Sequence, residues 1–129
     1  MYSCVYRVLR FVPDRFSEER INLGLLAVTR SRLHVRFTDD WDRVRSFSGG
    51  PSHDLEEVAR AFTAWDGRVT PLRMLLGADP LRDFLGFNDE RLRFSEVRSV
   101  DLPAGTAADR LAARYLRRAR GEGAHGAAA

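Results

Sequence analysis

The hydrophobic pattern at the start of the chain predicts two neighbouring β-strands. Over residues 2–12, bulky apolar side chains occupy both alternating faces, with Tyr6 on one and Leu9 on the other. Residues 20–29 are again apolar on both faces. Strands without a polar face are typical of the middle of a covered sheet. Because only a short polar segment joins the two strands, we predict that they form an antiparallel hairpin.

The middle of the chain predicts a third strand and then two helices. Residues 33–38 alternate between apolar and polar positions, which predicts a strand with one face in water. A short helix is predicted around Trp41, capped by Thr38 or Asp39. A longer helix is predicted from Leu55, because apolar residues recur from there at three- and four-residue spacing.

The last third of the chain predicts short helical turns, a fourth strand and a second main helix. Thr70–Pro71 and Asp79–Pro80 each pair a capping residue with a proline suited to the first helical position. Residues 91–95 alternate like a strand, which we extend towards Val100, and Thr106 begins the last helix.

This order of elements predicts the fold class α+β. We expect a small antiparallel sheet of about four strands, packed with two main helices and short helical turns. Residues 1–120 are expected to form a single α+β domain. Residues 121–129 contain little that can be buried, and we predict a disordered C-terminal tail.

Composition indicates a cytoplasmic protein without membrane association. The chain has 129 residues, of which 44% are hydrophobic and 30% charged. No apolar run is long enough to span a bilayer. The first residues do not form a signal peptide, because Arg7 and Arg10 interrupt the apolar run. Cys4 is the single cysteine, which excludes an internal disulfide.

The basic residues are all arginine, and no lysine is present to act as a general base or Schiff-base former. A formal charge of +3 permits nucleic-acid binding without favouring it. The basic C-terminal helix lacks interleaved aromatic residues, so nucleic acid is not an expected partner. The histidines have no ligand-like spacing and no glycine-rich phosphate loop occurs, so we predict neither a metal site nor a cofactor.

The polar connection between the first two strands is the candidate site. Asp14, Glu19 and Asn22 would lie together if the hairpin forms. One interpretation is structural: Asp14 caps a turn, Glu19 pairs with an arginine of the first strand, and Asn22 satisfies backbone groups beside Gly24. The other is functional, because carboxylates and an amide can bind Mg²⁺ or a phosphate-bearing partner. The structural interpretation is favoured.

Several arginines extend this candidate binding surface. Arg10 interrupts an apolar face close to the acidic connection, and Arg36 and Arg43 follow later in the chain. Arg7 and Arg10 fall on opposite faces of the first strand because side chains alternate. Buried arginine needs a partner, and Glu19 is the predicted partner of Arg10.

The opening of the chain resembles a known bacterial family. The run YRVLRFVPD of residues 6–14, followed by Glu19-x-x-Asn22-x-Gly24, is similar to the opening pattern of domain-of-unknown-function 3037. The later pieces VRF at 35–37 and RFSEVRSV at 93–100 are also similar to members. The connection at residues 15–18 departs from the small or glycine-containing turn of many members.

The resemblance implies a partner rather than an activity. Family members are small single-domain proteins, often encoded beside a HipA-like serine/threonine kinase. We therefore interpret the chain as a non-enzymatic partner or regulatory protein of such a kinase, in a toxin–antitoxin or defence system. The alternative is a metal-dependent enzyme that acts on a phosphorylated or nucleotide substrate through Asp14, Glu19 and Asn22. Sheet edges also permit a homodimer.

Overall fold

An open sheet of five strands forms the centre of the molecule. A computed structural model describes residues 4–13 and 19–116. The strands are β1 (Cys4–Phe11), β2 (Ile21–Thr29), β3 (Arg32–Phe37), β4 (Leu92–Phe94) and β5 (Arg98–Val100). β1 pairs antiparallel with β2 on one side and with both β4 and β5 on the other, and β3 pairs with β2. The predicted α+β class and the predicted hairpin are confirmed.

The predicted fourth strand is divided into β4 and β5 at Ser95. The backbone N–H of Ser95 donates to the carbonyl of Val8 at 2.8 Å. In return, the Ser95 hydroxyl accepts from the N–H of Val8 at 2.9 Å. A side-chain oxygen therefore takes the place of a backbone carbonyl opposite Val8, and the regular ladder stops there.

Four helices cover one face of the sheet and one helix covers the other. The four are α1 (Trp41–Ser48), α2 (His53–Thr63), α3 (Leu72–Leu76) and α4 (Pro80–Leu85), and α5 (Ala107–Tyr115) lies on the opposite face. In the described part of the chain, no helix is long and apolar enough to cross a membrane. The predicted tail at 121–129 lies outside the described residues.

The predicted helix starts are correct to within one or two residues. The carboxylate of Asp40 accepts from the N–H of Arg43 at 3.1 Å, so the cap of α1 lies just after the predicted Thr38 or Asp39. Asp79 caps α4 as predicted, through the N–H of Arg82. Thr106 precedes α5 but makes no side-chain cap bond.

Each face of the sheet has its own apolar core. On one face, Leu9 and Phe11 are buried with Phe62 of α2. On the other, Tyr6 and Val8 are buried with Leu111 of α5. β1 and β2 therefore lie in the middle of a covered sheet, as their two-sided apolar pattern predicts.

A β-bulge in β2 sets the direction of the candidate site. Leu9 lies opposite Gly24, but Arg10 lies opposite Asn22, so Leu23 is an extra residue in β2. The bulge places Asn22 on the α5 face beside Arg10. Gly24 is required by close packing, because a Cβ there would lie 2.7 Å from Cδ1 of Phe37.

Arg7 points to the face opposite Arg10, as strand alternation predicts. Its guanidinium donates to the carbonyls of Leu75 at 3.0 Å, Gly77 at 2.7 Å and Ser95 at 2.9 Å. Burial lowers the pKa of Arg7, but an arginine remains protonated at any working pH. Arg7 thus joins β1 to the end of α3 and to the segment after β4, which is a structural role.

Candidate functional site

An open pocket with a strongly basic wall lies between one end of the sheet and the last turn of α5. Its volume is about 450 Å³. Among residues 4–13 and 19–116, its wall includes four arginines and no acidic residue. The lining residues are Arg10, Arg20, Ile21, Asn22, Arg43, Ala113, Arg114, Tyr115 and Leu116.

Four separate elements supply the wall of this arginine pocket. The end of β1 provides Arg10, the start of β2 provides Asn22, and Arg20 immediately precedes β2. Arg43 comes from α1, and Arg114 comes from the last turn of α5. The bulge at Leu23 allows β1 and β2 to contribute polar side chains to the same face at this point, because it shifts the alternation of β2 by one residue.

Asn22 fixes the two sides of the pocket to each other. Its side-chain amide donates to the carbonyl oxygen of Tyr115 at 3.0 Å. That carbonyl belongs to the last turn of α5, where the helix supplies no partner. Asn22 was predicted to satisfy backbone groups beside Gly24, and that prediction is wrong: its partner lies in α5.

A pair of tyrosines and an arginine support the α5 side of the pocket. The hydroxyls of Tyr6 and Tyr115 are 2.8 Å apart, and Arg98 donates to the Tyr115 hydroxyl at 3.1 Å. Burial acts to raise the pKa of Tyr115, but the hydrogen bonds from Tyr6 and Arg98 outweigh it and lower that pKa. The Tyr115 ring is consequently held in place from two directions.

Arg10 is a partly buried arginine of the pocket wall. Within the described ranges, its side chain makes no hydrogen bond and no ion pair with another residue. Burial lowers the pKa of Arg10, and the nearby positive charges of Arg20 and Arg98 lower it further. Glu96 acts in the opposite direction, but it is already paired with Arg98 at 3.0 Å.

The predicted pairing between Arg10 and Glu19 is wrong. The ion pairs among residues 4–13 and 19–116 do not include it, and Glu19 is an exposed residue immediately before Arg20. After burial, the largest influences on Arg10 are the positive charges of Arg20 and Arg98, and Glu96 and Tyr115 act in the opposite direction. The prediction failed because it assumed that proximity along a hairpin decides the partner.

The structure brings together three of the six predicted site residues. Arg10, Asn22 and Arg43 line the arginine pocket. Arg36 does not line it, because its guanidinium bonds Asp109 at 2.9 Å and Asp66 at 3.3 Å, and so joins β3 to α5 and to the segment after α2. Asp14 lies outside the described residues, so its predicted place beside Glu19 and Asn22 is not described.

The acidic metal site proposed from the sequence gains no support from the described residues. No group of three or more His, Cys, Asp or Glu side chains among them is arranged to hold a metal ion. Cys4 is buried in β1, and burial raises its pKa, which disfavours the reactive thiolate.

Sequence reasoning missed Arg20 and Tyr115 as pocket residues. Arg20 precedes an apolar strand and looks like any solvated charge, and Tyr115 occupies an apolar position of its helix. Arg114 was noticed only as part of a basic helix end. One sequence signal could have indicated Arg20: in a hairpin, its position before the second strand lies near Arg10 at the end of the first strand.

The chemistry of the pocket is that of an anion site. Guanidinium groups offer several N–H donors in a plane and match carboxylate or phosphate oxygens two at a time. The last carbonyls of a helix carry a partial negative charge, which opposes an anion. Asn22 covers the carbonyl of Tyr115, and the N–H of Leu116 covers that of Ala112 at 2.8 Å.

Comparison with known proteins identifies the family. A family model described as "Protein of unknown function (DUF3037)" matches residues 6–99, which is most of the chain. The chain therefore belongs to this family, as the opening motif predicted. No curated protein and no solved structure matches it. The matched segment contains Arg10, Arg20, Asn22 and Arg43, whereas the α5 side of the pocket lies beyond it.

Proposed function

We propose that this chain is a non-enzymatic partner protein that binds a negatively charged segment of another protein at the arginine pocket. The proposal rests on one observation: Arg10, Arg20, Arg43 and Arg114 line the same open cavity. Neither Arg10 nor Arg20 makes an ion pair with a described residue. Arginine is enriched at the energetic centres of protein interfaces. An acidic segment would supply the charge that the pocket lacks.

The lining residues favour binding over catalysis. Arginine cannot act as a proton acceptor near neutral pH, and it is a poor nucleophile for the same reason. Tyr115 has a lowered pKa, but its hydroxyl is already engaged with Tyr6 and Arg98. The described wall of the pocket thus supplies donors and positive charge rather than an acid–base pair.

In our proposal the partner is a HipA-like serine/threonine kinase, because the family that the opening motif resembles is often encoded beside such a kinase. An acidic or phosphorylated segment of such a kinase would suit the basic pocket by charge. In this proposal the chain regulates or accompanies the kinase in a toxin–antitoxin or defence system. A cytoplasmic location follows from that partnership.

Co-expression with a neighbouring HipA-like kinase tests the proposal. We expect a stable complex in size-exclusion chromatography with light scattering, and its affinity should fall as salt rises. Arg20→Glu should remove the complex, whereas Arg73→Glu, an equal charge reversal on exposed α3 away from the pocket, should keep it. Strictly monomeric behaviour in the presence of the kinase would overturn the proposed partnership.

A further inference from the structure

We infer that the arginine pocket receives a phosphomonoester group, held principally by Arg10 and Arg20. The inference deepens the proposed function, and it rests on that function only for the source of the phosphate, a phosphorylated side chain of the protein partner. The recognition chemistry itself depends on the pocket alone. Three features of the pocket support the inference: its positive charge, its size, and the packing of other side chains against the Tyr115 ring.

The charge of the pocket exceeds what one carboxylate would balance. Four guanidinium groups line the cavity, and none of the described lining residues is acidic. Glu96 is an acidic neighbour that acts on Arg10, but it already bonds Arg98 at 3.0 and 3.2 Å. A phosphomonoester carries about −1.5 to −2 charges near neutral pH and offers three strong acceptor oxygens. It can therefore accept from two guanidinium forks at once and balance more of their charge than a single carboxylate does.

The size of the cavity suits a phosphorylated side chain. A volume of about 450 Å³ is towards the small end of known ligand pockets. The pocket is open, so a phosphoserine side chain can enter while its own backbone stays at the surface. Neither a folded acidic domain nor a nucleic-acid duplex can enter a cavity of this volume.

In the part of the pocket wall that the structure describes, Tyr115 is the single aromatic residue, and its ring is already covered. The Tyr115 ring packs against Tyr6, with ring centroids 5.7 Å apart. The guanidiniums of Arg98 and Arg114 also lie 5.8 and 5.9 Å from its centre. Single-stranded nucleic acid is usually held by aromatic side chains on which its bases stack. The phosphate of a protein side chain therefore fits the pocket better than a nucleotide chain does.

Isothermal titration calorimetry on the full chain tests the inference. The probes are inorganic phosphate and O-phosphoserine, with serine and acetate as controls, at low ionic strength. We expect both phosphate probes to bind and both controls to give no heat. Arg10→Ala should weaken phosphate binding at least tenfold, and Arg73→Ala should leave it unchanged. If Arg10→Ala does not fold, Arg20→Ala carries the same expectation, because Arg20 is exposed.

Two kinds of result would overturn the inference. Absent phosphate binding, or equal binding by the wild type, Arg10→Ala and Arg20→Ala, would show that the pocket is not a phosphate site. A single-stranded oligonucleotide that binds tenfold more tightly than O-phosphoserine would also overturn it in favour of nucleic acid.

Dephosphorylation of the kinase with a phosphatase, followed by a test of complex formation, separates this inference from the proposed function. If the kinase complex survives dephosphorylation of the kinase and phosphate does not bind, the partnership stands and the phosphate site is overturned. If phosphate and AMP bind as well as O-phosphoserine while no kinase complex forms, the phosphate site stands, its source is a small molecule, and the partnership fails. Loss of the complex on dephosphorylation supports both.

Discussion

The side-chain amide of Asn22 donates to the carbonyl oxygen of Tyr115 across 3.0 Å, and so connects the start of β2 to the last turn of α5. These residues are 93 positions apart in the sequence. The bond holds the two walls of the arginine pocket together and satisfies a helix-terminal carbonyl. Asn22 is thus a structural residue of the pocket.

Asn22→Ala should loosen α5 at its C-terminal end. Loss of one partly buried hydrogen bond is expected to lower the free energy of unfolding by about 1 kcal/mol. Backbone amides in the last turn of α5 should exchange faster in hydrogen–deuterium exchange mass spectrometry. Asn88→Ala, at an exposed position, is the matched control and should change neither quantity. Unaltered exchange in Asn22→Ala would contradict the structural role.

Gly24→Ala should destabilise the hairpin through a steric clash. The added Cβ would lie 2.7 Å from Cδ1 of Phe37 and 2.8 Å from the carbonyl oxygen of Arg36, so β3 must move. Overpacking of this kind typically costs about 1–3 kcal/mol. Urea denaturation should show the loss for Gly24→Ala but not for Gly105→Ala, where nothing lies within 4 Å of the new Cβ. Equal midpoints for the two variants would refute the clash.

Arg7→Met should be among the more damaging single substitutions. It removes the donor from three backbone carbonyls, those of Ser95, Leu75 and Gly77. Each buried acceptor left without a partner costs about 1–3 kcal/mol. Arg7→Lys should recover only part of the loss, because an ammonium group lacks the planar fork. Thermal denaturation measures both, with Arg73→Ala as a surface control.

Acid should weaken the contact of Arg91 with Asp54 and Asp89. The hydrogen bonds from Arg91 are the main reason that the pKa values of both carboxyls are lowered. A carboxyl with a lowered pKa in the folded state stabilises the protein above its unfolded pKa of about 3.9. That contribution is lost as the pH falls through the folded-state pKa.

Denaturation midpoints at pH 7 and below pH 4 measure this effect. Asp89→Asn should lower the midpoint at pH 7 and reduce the drop between the two pH values. Asp101→Asn, at an exposed position, should leave the drop unchanged. An identical acid response in the wild type and Asp89→Asn would show that the ion pair does not contribute.

Magnesium should not bind the hairpin connection if the chain is a non-enzymatic partner. Calorimetric titration with Mg²⁺ and Mn²⁺ is expected to give no specific heat for the wild type, and Asp14→Ala and Glu19→Ala should behave identically. Micromolar binding that both variants abolish would favour the metal-dependent enzyme instead.

Periodicity along the sequence predicts the parts of the fold that depend on local chemistry. The two-sided apolar pattern placed β1 and β2 in the sheet centre, Asp79 was identified as a cap, and alternation separated Arg7 from Arg10. The bulge at Leu23 breaks that alternation, so the face to which Asn22 points was not predictable. Ser95 interrupts a strand pattern through its hydroxyl, which periodicity does not register.

The pocket was predictable only in part because it joins distant segments. Arg10, Asn22 and Arg43, three of the predicted binding residues, line one cavity. Their partners depend on how α5 crosses the sheet, and no local pattern encodes that placement. Arg36 was also predicted as a binding residue but does not line the cavity, because it forms ion pairs with Asp109 and Asp66.

Both outer strands of the sheet are protected against extension. Beside β3, the N–H of Leu33 donates to Arg68 at 2.9 Å and its carbonyl accepts from Gly67 at 2.8 Å. On the opposite border, β4 and β5 are fragments of three residues each, separated at Ser95. Neither border in the described part of the chain presents a long row of free peptide groups to a passing strand. Along these described borders, contacts with other molecules are therefore expected to use side chains rather than a shared ladder.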